Sequence, residues 1–253
     1  MIQFVQCTFS EIENEVCRYY EEKDILVDSF WEDHVCESTY YHIKKGEENI
    51  GYCGIYHKSL MTLFHVDEVH SYLVQEIFMK ARRLEEIFEA FVPTGDELLL
   101  SLALDNFSTL EKQAYFTRYK QAKISKDETL QLELATLEKQ ELVKRYSEGF
   151  FDDISREIGL EKLYIAKKEN EIVGFGIIEK GRIRRDLASI GMFVRPQYRQ
   201  RGVGKNILIG LKEIVELEGR FAISGCWYYN HNSLKTQLSL GNDCATRLLR
   251  IKF

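Results

Sequence analysis

Two stretches of this chain carry the same plan in the same order, and that duplication limits the fold more than any single residue does. Ile2 to Thr8 reads as a strand, and a helix carrying Ile12, Val16, Tyr19 and Tyr20 follows it. Much later, Leu130, Leu132 and Leu134 alternate with Gln131 and Glu133, and a helix with Leu142, Val143 and Tyr146 follows. Tyr41 to Lys45 and Ile50 to Tyr56 flank a charged turn, and so do Tyr164 to Lys168 and Ile172 to Ile178, which predicts two β-hairpins. A third match sets Leu98 to Leu104, taken as a strand before Asn106, against Phe221 to Tyr229 before Asn230. Val16 pairs with Val143, Gly51 with Gly174 and Asn106 with Asn230, at offsets of 127, 123 and 124. A tandem duplication joined near Ser125 is expected, with domains 1–125 and 126–253.

The chain is long enough for this: 253 residues hold two domains of ordinary size. Hydrophobic residues at 45% and charged residues at 29% suit a globular protein with a proper core. A net charge of −6 argues against nucleic-acid or membrane-surface binding, which needs a basic face. No segment reaches the roughly 18 apolar residues of a membrane span, and Met1-Ile2-Gln3-Phe4 lacks the charged start of a signal peptide. A cytoplasmic location is expected. Cys7, Cys17, Cys36, Cys53, Cys226 and Cys244 form no Cys-x-x-Cys pair, so they read as buried free thiols and no metal site is indicated. His57, His65 and His70 lack ligand spacing and read as surface or interface residues.

The two halves differ at one place. Between an apolar segment, Leu187 to Val194, and a helix marked by Ile207, Leu208, Leu211, Ile214 and Val215 lies Arg195-Pro196-Gln197-Tyr198-Arg199-Gln200-Arg201-Gly202-Val203-Gly204-Lys205. Pro196 stops the strand, and Gly202 and Gly204 allow close backbone approach by a ligand. Free N–H groups of the first helical turn would converge there, beside the positive end of the helix dipole and Arg195, Arg199, Arg201 and Lys205. Such a turn suits a pyrophosphate. Shifted back by the repeat, the same positions fall on Gln75 to Lys80, inside an expected helix from Val69 to Leu84, with no glycine and no arginine. The first half has lost this cradle and is expected to serve as a structural partner or as part of an acceptor site.

Arg199-Gln200-Arg201-Gly202-Val203-Gly204 resembles the coenzyme A signature of the GNAT (Gcn5-related N-acetyltransferase) family, and residues 126 to 253 resemble its domain from end to end. The resemblance implies an α/β (α+β) fold of two tandem GNAT-like domains, each a mixed, mostly antiparallel central sheet flanked by helices, the first degenerate. It implies acetyl-CoA as cosubstrate, no metal, and an amine acceptor that is a small molecule or peptide. Arg199, Gln200, Arg201, Gly202, Val203, Gly204 and Lys205 would hold the pyrophosphate, Phe193 and Val194 the pantetheine arm, and Asn230 and Ser233 its far end. Where the family often has a Tyr acid this chain has Gln237, so Tyr228 and Tyr229 become the candidate acids, with a packing role as the alternative.

No general base stands out: Asp186 and Glu179 read as solvated charges, and Cys226 as a strand thiol rather than a nucleophile. Trp227 with Tyr228 reads as core or slot lining. Direct transfer of acetyl to a primary amine is the expected activity. Another acyl or aminoacyl transfer and a non-catalytic coenzyme A sensor stand as alternatives. A monomer or a homodimer is compatible with a chain that already holds two copies.

Overall fold

The computed structural model describes residues 1–84, 86–120 and 125–253. The first half runs β1 (Ile2–Cys7), α1 (Phe9–Glu22), α2 (Ser29–Cys36), β2 (Thr39–Lys45), β3 (Glu48–Tyr56), β4 (Leu60–Val66), α3 (Val74–Ala81), β5 (Glu89–Pro93), α4 (Glu97–Asp105) and β6 (Thr109–Arg118). The second runs β7 (Leu130–Leu134), α5 (Gln140–Tyr146), α6 (Ile154–Gly159), β8 (Leu163–Lys168), β9 (Glu171–Lys180), β10 (Leu187–Val194), α7 (Val203–Leu217), β11 (Phe221–Trp227), α8 (His231–Leu238) and β12 (Asp243–Lys252). The element order is the same in both. Among the described residues no helix is long and apolar enough to cross a membrane.

The chain forms two compact units, and their bounds do not follow the sequence midpoint. The first comprises Met1–Phe116, Arg182–Arg184 and Thr246–Phe253. In its sheet β1, β2, β3 and β4 are antiparallel neighbours, β4 and β5 are parallel, and β12 lies antiparallel to β5 from Leu248 opposite Pro93 to Lys252 opposite Glu89. Helix α1 forms because Thr8 and Glu11 make a capping box and because Ile12, Val16, Cys17 and Tyr20 share one buried face. The core joins Ile43, Phe64, Ile77, Phe78 and Leu102 with Ile251 of β12. Residues 182–184 dock by their backbone: the N–H groups of Arg182, Ile183 and Arg184 donate to buried Glu32 at 2.7, 3.0 and 3.1 Å. The buried Arg184 guanidinium donates to the Ile25 carbonyl at 2.8 Å and pairs with Asp24 at 3.0 Å.

The second unit comprises Thr117–Gly181 and Arg185–Ala245. Strands β7 to β10 pair antiparallel in chain order, and β11 joins β10 in parallel. Helix α7 buries Val203, Ile207, Leu208, Leu211 and Val215 in a cluster with Val173 of β9 and Ile190 of β10. A second cluster gathers Val143, Phe151, Phe175 and Phe193 under α5 and α6.

The hairpins carry the duplication into three dimensions. Both have a register shift at the matching place, between Ile43 and Lys44 and between Ala166 and Lys167. A Cβ on Gly51 would stand 2.1 Å from the His65 carbonyl oxygen, and one on Gly174 would stand 2.3 Å from that of Phe193. No side chain fits between strands that close.

Four sequence expectations need correction. Leu98 to Leu104 is not a strand but lies in α4, whose first turn Asp96 caps by accepting the Leu99 N–H at 3.1 Å. The counterpart of β11 is therefore β5, and Asp96, not Asn106, occupies the capping position that Asn230 occupies ahead of α8. The continuous helix over 69–84 is a 3₁₀ segment, Glu68–Leu73, followed by the shorter α3. Cys17 and Cys53 are buried thiols as expected, but Cys7, Cys36, Cys226 and Cys244 are only half-buried. His70 is buried and His65 half-buried rather than surface residues: His65 packs its ring against those of Tyr19 and Tyr52.

Candidate functional site

The parallel pairing of β10 with β11 runs from Leu187 opposite Phe221 to Ser189 opposite Ile223 and ends there. At the next step a side chain replaces the backbone ladder: the Ser224 hydroxyl donates to the Ile190 carbonyl at 2.6 Å and lies 3.1 Å from the Tyr119 hydroxyl. Beyond Ser224 the strands continue as Gly191 to Val194 and as Gly225 to Trp227 without pairing to each other. Gly191, Met192 and Val194 remain half-buried at this open edge, whereas Phe193 points into the core. Such a gap can accept an amide-bearing chain as an added strand.

At the end of β10 the chain makes a single 3₁₀ turn, Pro196–Tyr198, and then two left-handed residues, Gln200 with φ 61° and Gly202 with φ 77°. Gly202 is the N-cap of α7, and no side chain caps that helix. Helices α2, α4, α6 and α8 are each closed by an Asp or Asn that accepts a first-turn N–H. At α7 the first-turn N–H groups of Val203, Gly204 and Lys205 have no such acceptor, so a 15-residue helix presents its positive end open. A Cβ on Gly204 would meet Met192 Sδ at 3.1 Å and Val194 Cγ2 at 3.3 Å, so this glycine keeps the helix start close against the end of β10. The Asn206 amide anchors the turn, donating to the Gly202 carbonyl at 3.0 Å and accepting the Asp127 N–H at 2.8 Å. The Lys168 ammonium beside Asp127 holds that carboxyl low, at about 2.

The four cations of the motif take different places. Arg201 is exposed on the loop and Lys205 half-buried in the first turn of α7. Arg199 folds back, its Nε donating to the Val194 carbonyl at 2.9 Å with the guanidinium over the Phe193 ring. Arg195 turns away from the cradle to stack on Tyr146 and donate to the Ile172 carbonyl at 2.6 Å. Asn230 caps α8 by accepting the Ser233 N–H at 3.1 Å, and the Ser233 hydroxyl accepts from Gln237 at 3.2 Å.

Gln237 is buried and accepts the Thr117 hydroxyl at 2.8 Å, so it is a structural amide. Trp227, Tyr228 and Tyr229 form an edge-to-face cluster at the end of β11, with Trp227 and Tyr229 mostly exposed. Glu179 is held by Lys162 at 3.1 Å, and Asp186 is half-buried ahead of β10. Among the described residues no group of His, Cys, Asp and Glu is placed to hold a metal ion.

Ser224 and Tyr119 stand at the candidate site, and the sequence did not single them out. Burial pushes the Tyr119 phenol up to about 12, so it stays protonated and hydrogen-bonded where the strands part. Only the strand register shows their place; a Ser inside an apolar strand was the available signal.

Comparison with known proteins adds to this geometry. The family described as "Acetyltransferase (GNAT) domain" matches residues 8–120, and "Acetyltransferase (GNAT) family" matches residues 127–236. No curated protein sequence matches the chain. Among solved structures, a GNAT-family acetyltransferase from Colwellia psychrerythraea superposes with a TM-score of 0.88 at 16% identity, covering 100% of this chain and 99% of that one. A GCN5-related N-acetyltransferase from Sphaerobacter thermophilus gives 0.64 at 12% identity, covering 99% and 95%. A tandem GNAT protein from the clavulanic acid biosynthesis pathway gives 0.58 at 12%, covering 100% and 98%. At these identities the likeness is one of fold.

Proposed function

Since the chain belongs to the GNAT acetyltransferases, with one domain of the family in each half, we propose that its second unit transfers the acetyl group of acetyl-CoA to a primary amine in a ternary complex. The family and the fold support acyl transfer in general; the donor and acceptor are our own reading. The observation that carries it is the uncapped N-terminus of α7, opened by left-handed Gly202 at the mouth of the gap between β10 and β11.

In this reading the first-turn N–H groups of Val203, Gly204 and Lys205, with Gln200, Arg201 and Gly202, cradle the pyrophosphate. Arg199 releases the Val194 carbonyl and joins them. The freed Val194 backbone and that of Phe193 pair with the pantetheine amides, and Asn230 with Ser233 flanks the far end of the arm. Acetyl-CoA supplies an acyl group on a thiolate leaving group. The acceptor nitrogen forms its bond to the acyl carbon as the bond to sulfur breaks, the surplus amine proton passes to water, and Tyr228 or Tyr229 gives a proton to the thiolate. A free thiol has a pKa of about 8.5, so positioning supplies most of the rate and the acid only part of it.

A second reading has one observation behind it: buried Gln237 leaves no acid at the position where the family often has one, which suits a coenzyme A sensor. Calorimetric titration of acetyl-CoA, followed by an amine screen for released thiol, separates the two. We expect binding by the wild type, at least tenfold weaker binding by Arg199→Ala/Gly202→Ala, and thiol release with at least one primary amine. Binding without thiol release from any amine leaves the sensor, and no binding by the wild type removes both.

A further inference from the structure

One cation of the motif already sits where a ligand would have to go. The Arg195 N–H donates back to Val173 of β9 at 3.1 Å. Residues of an antiparallel ladder alternate in this respect, so Val194 turns its own N–H and C=O away from β9, towards the gap. Ile190, four residues earlier, follows the same alternation: its carbonyl takes the Ser224 hydroxyl of β11. Val194 ends the strand, and its carbonyl is the outermost acceptor of the open edge. Arg199 fills it, with Nε at 2.9 Å and the guanidinium carbon 5.8 Å from the centre of the Phe193 ring. A chain laid along this edge as an added strand therefore meets a side chain at its outer end.

Nothing else on the chain holds this side chain. Arg199 is exposed, so leaving the carbonyl takes rotation about side-chain bonds and no refolding. Among the described residues no carboxylate pairs with it, and its two terminal nitrogens make no hydrogen bond. Arg195 cannot take its place, being stacked on Tyr146 and bonded to the Ile172 carbonyl. A guanidinium grips a phosphate through paired charge-assisted bonds, each roughly twice as strong as a bond between neutral groups. A single bond to a neutral carbonyl does not compete with that. A diphosphate at the start of α7 would draw Arg199 off Val194 and free the carbonyl in one movement.

We propose that Arg199 is a latch that selects the donor: it closes the pantetheine-accepting edge to thioesters without a diphosphate, and opens it when a diphosphate occupies the cradle. This rests on the reading of the second unit as an acetyl-CoA site and adds to it a coupling between the two ends of the donor. The coupling is reciprocal, so each end strengthens binding of the other by the same factor, on the order of tenfold.

The test is calorimetric titration of S-acetylpantetheine, which has the thioester arm and no phosphate, into the full-length protein with and without saturating inorganic pyrophosphate. Wild type is expected to bind it about tenfold more tightly with pyrophosphate present, and sodium chloride at matched ionic strength to give no such gain. Without pyrophosphate, Arg199→Ala is expected to bind it about tenfold more tightly than wild type. The same variant should gain nothing from pyrophosphate and bind acetyl-CoA more weakly than wild type, at an unchanged melting temperature. A residue that only shaped the loop would weaken both ligands. Binding of acetyl-CoA by wild type without any gain from pyrophosphate overturns the latch and leaves the acetyl-CoA reading standing. So does Arg199→Ala binding S-acetylpantetheine no more tightly than wild type. No binding of acetyl-CoA by wild type overturns both.

Discussion

Single residues set the candidate site, and their substitutions differ in kind. Gly202 is needed for its backbone, since a Cβ there would meet only Asn206 Nδ2 at 3.8 Å while φ is 77°; Gly202→Ala should cost about 1 kcal/mol of stability. Gly174 is needed for space, with Ile207 Cδ1 at 3.0 Å behind the Phe193 oxygen. Gly174→Ala should cost upwards of about 3 kcal/mol in urea unfolding, because neither the strand nor the helix can retreat cheaply. Ser224→Ala leaves the Ile190 carbonyl and the Tyr119 hydroxyl without their shared partner and should lose about 1–3 kcal/mol. Asp96 belongs to the first unit and carries a pH signature. Burial raises its pKa to about 6 despite donors from Leu99, Tyr19 and Tyr20. A folded pKa above the unfolded value near 3.9 means that the stabilisation is complete below about pH 4 and is lost as pH rises through 6. Melting curves between pH 4 and 7 should show this slope, on the order of 2–3 kcal/mol in all, and Asp96→Asn should flatten it.

At the scale of elements, whatever rests on local pattern could be read from the sequence. The hairpins, the strand Leu187–Val194 and helix α7 follow from alternation, from apolar spacing and from two glycines after a proline. Helix α4 did not, because Glu97-Leu98-Leu99-Leu100-Ser101-Leu102-Ala103-Leu104 is apolar nearly throughout and suits a buried strand or a buried helix alike. Asp96 decides it, and an Asp before an apolar run could have been weighted as a cap. The end of the β10–β11 ladder could not be seen at all. Where two strands part depends on Ser224 meeting Ile190, residues 34 positions apart. The same holds for a cleft of the first unit, whose lining residues come from α1, the end of β4 and the start of α4, far apart in sequence.

At the scale of the whole molecule, the two units are compact without being contiguous in sequence. Residues 246–253 supply β12 to the first unit, with Leu248 and Ile251 wholly buried. Each buried aliphatic lost costs about 2–5 kcal/mol, so removing 246–253 should unfold the first unit selectively. Trp31, fully buried there, reports on that unit, and Trp227, 60% exposed, on the other. In the Trp227→Phe background, the Trp31 fluorescence transition should move to markedly lower urea when the eight residues are deleted; an unchanged midpoint would show that β12 is dispensable.

The strand that ends the chain gives this duplication a history that runs in one direction. Two copies laid end to end can be undone by one deletion that returns a single working gene. Once the last strand of the second copy has become part of the first copy's core, no single cut yields a complete copy of either. The first unit, although it lacks the phosphate loop, holds the last strand of the second copy in its own core, so the two copies can no longer be separated without breaking one of them.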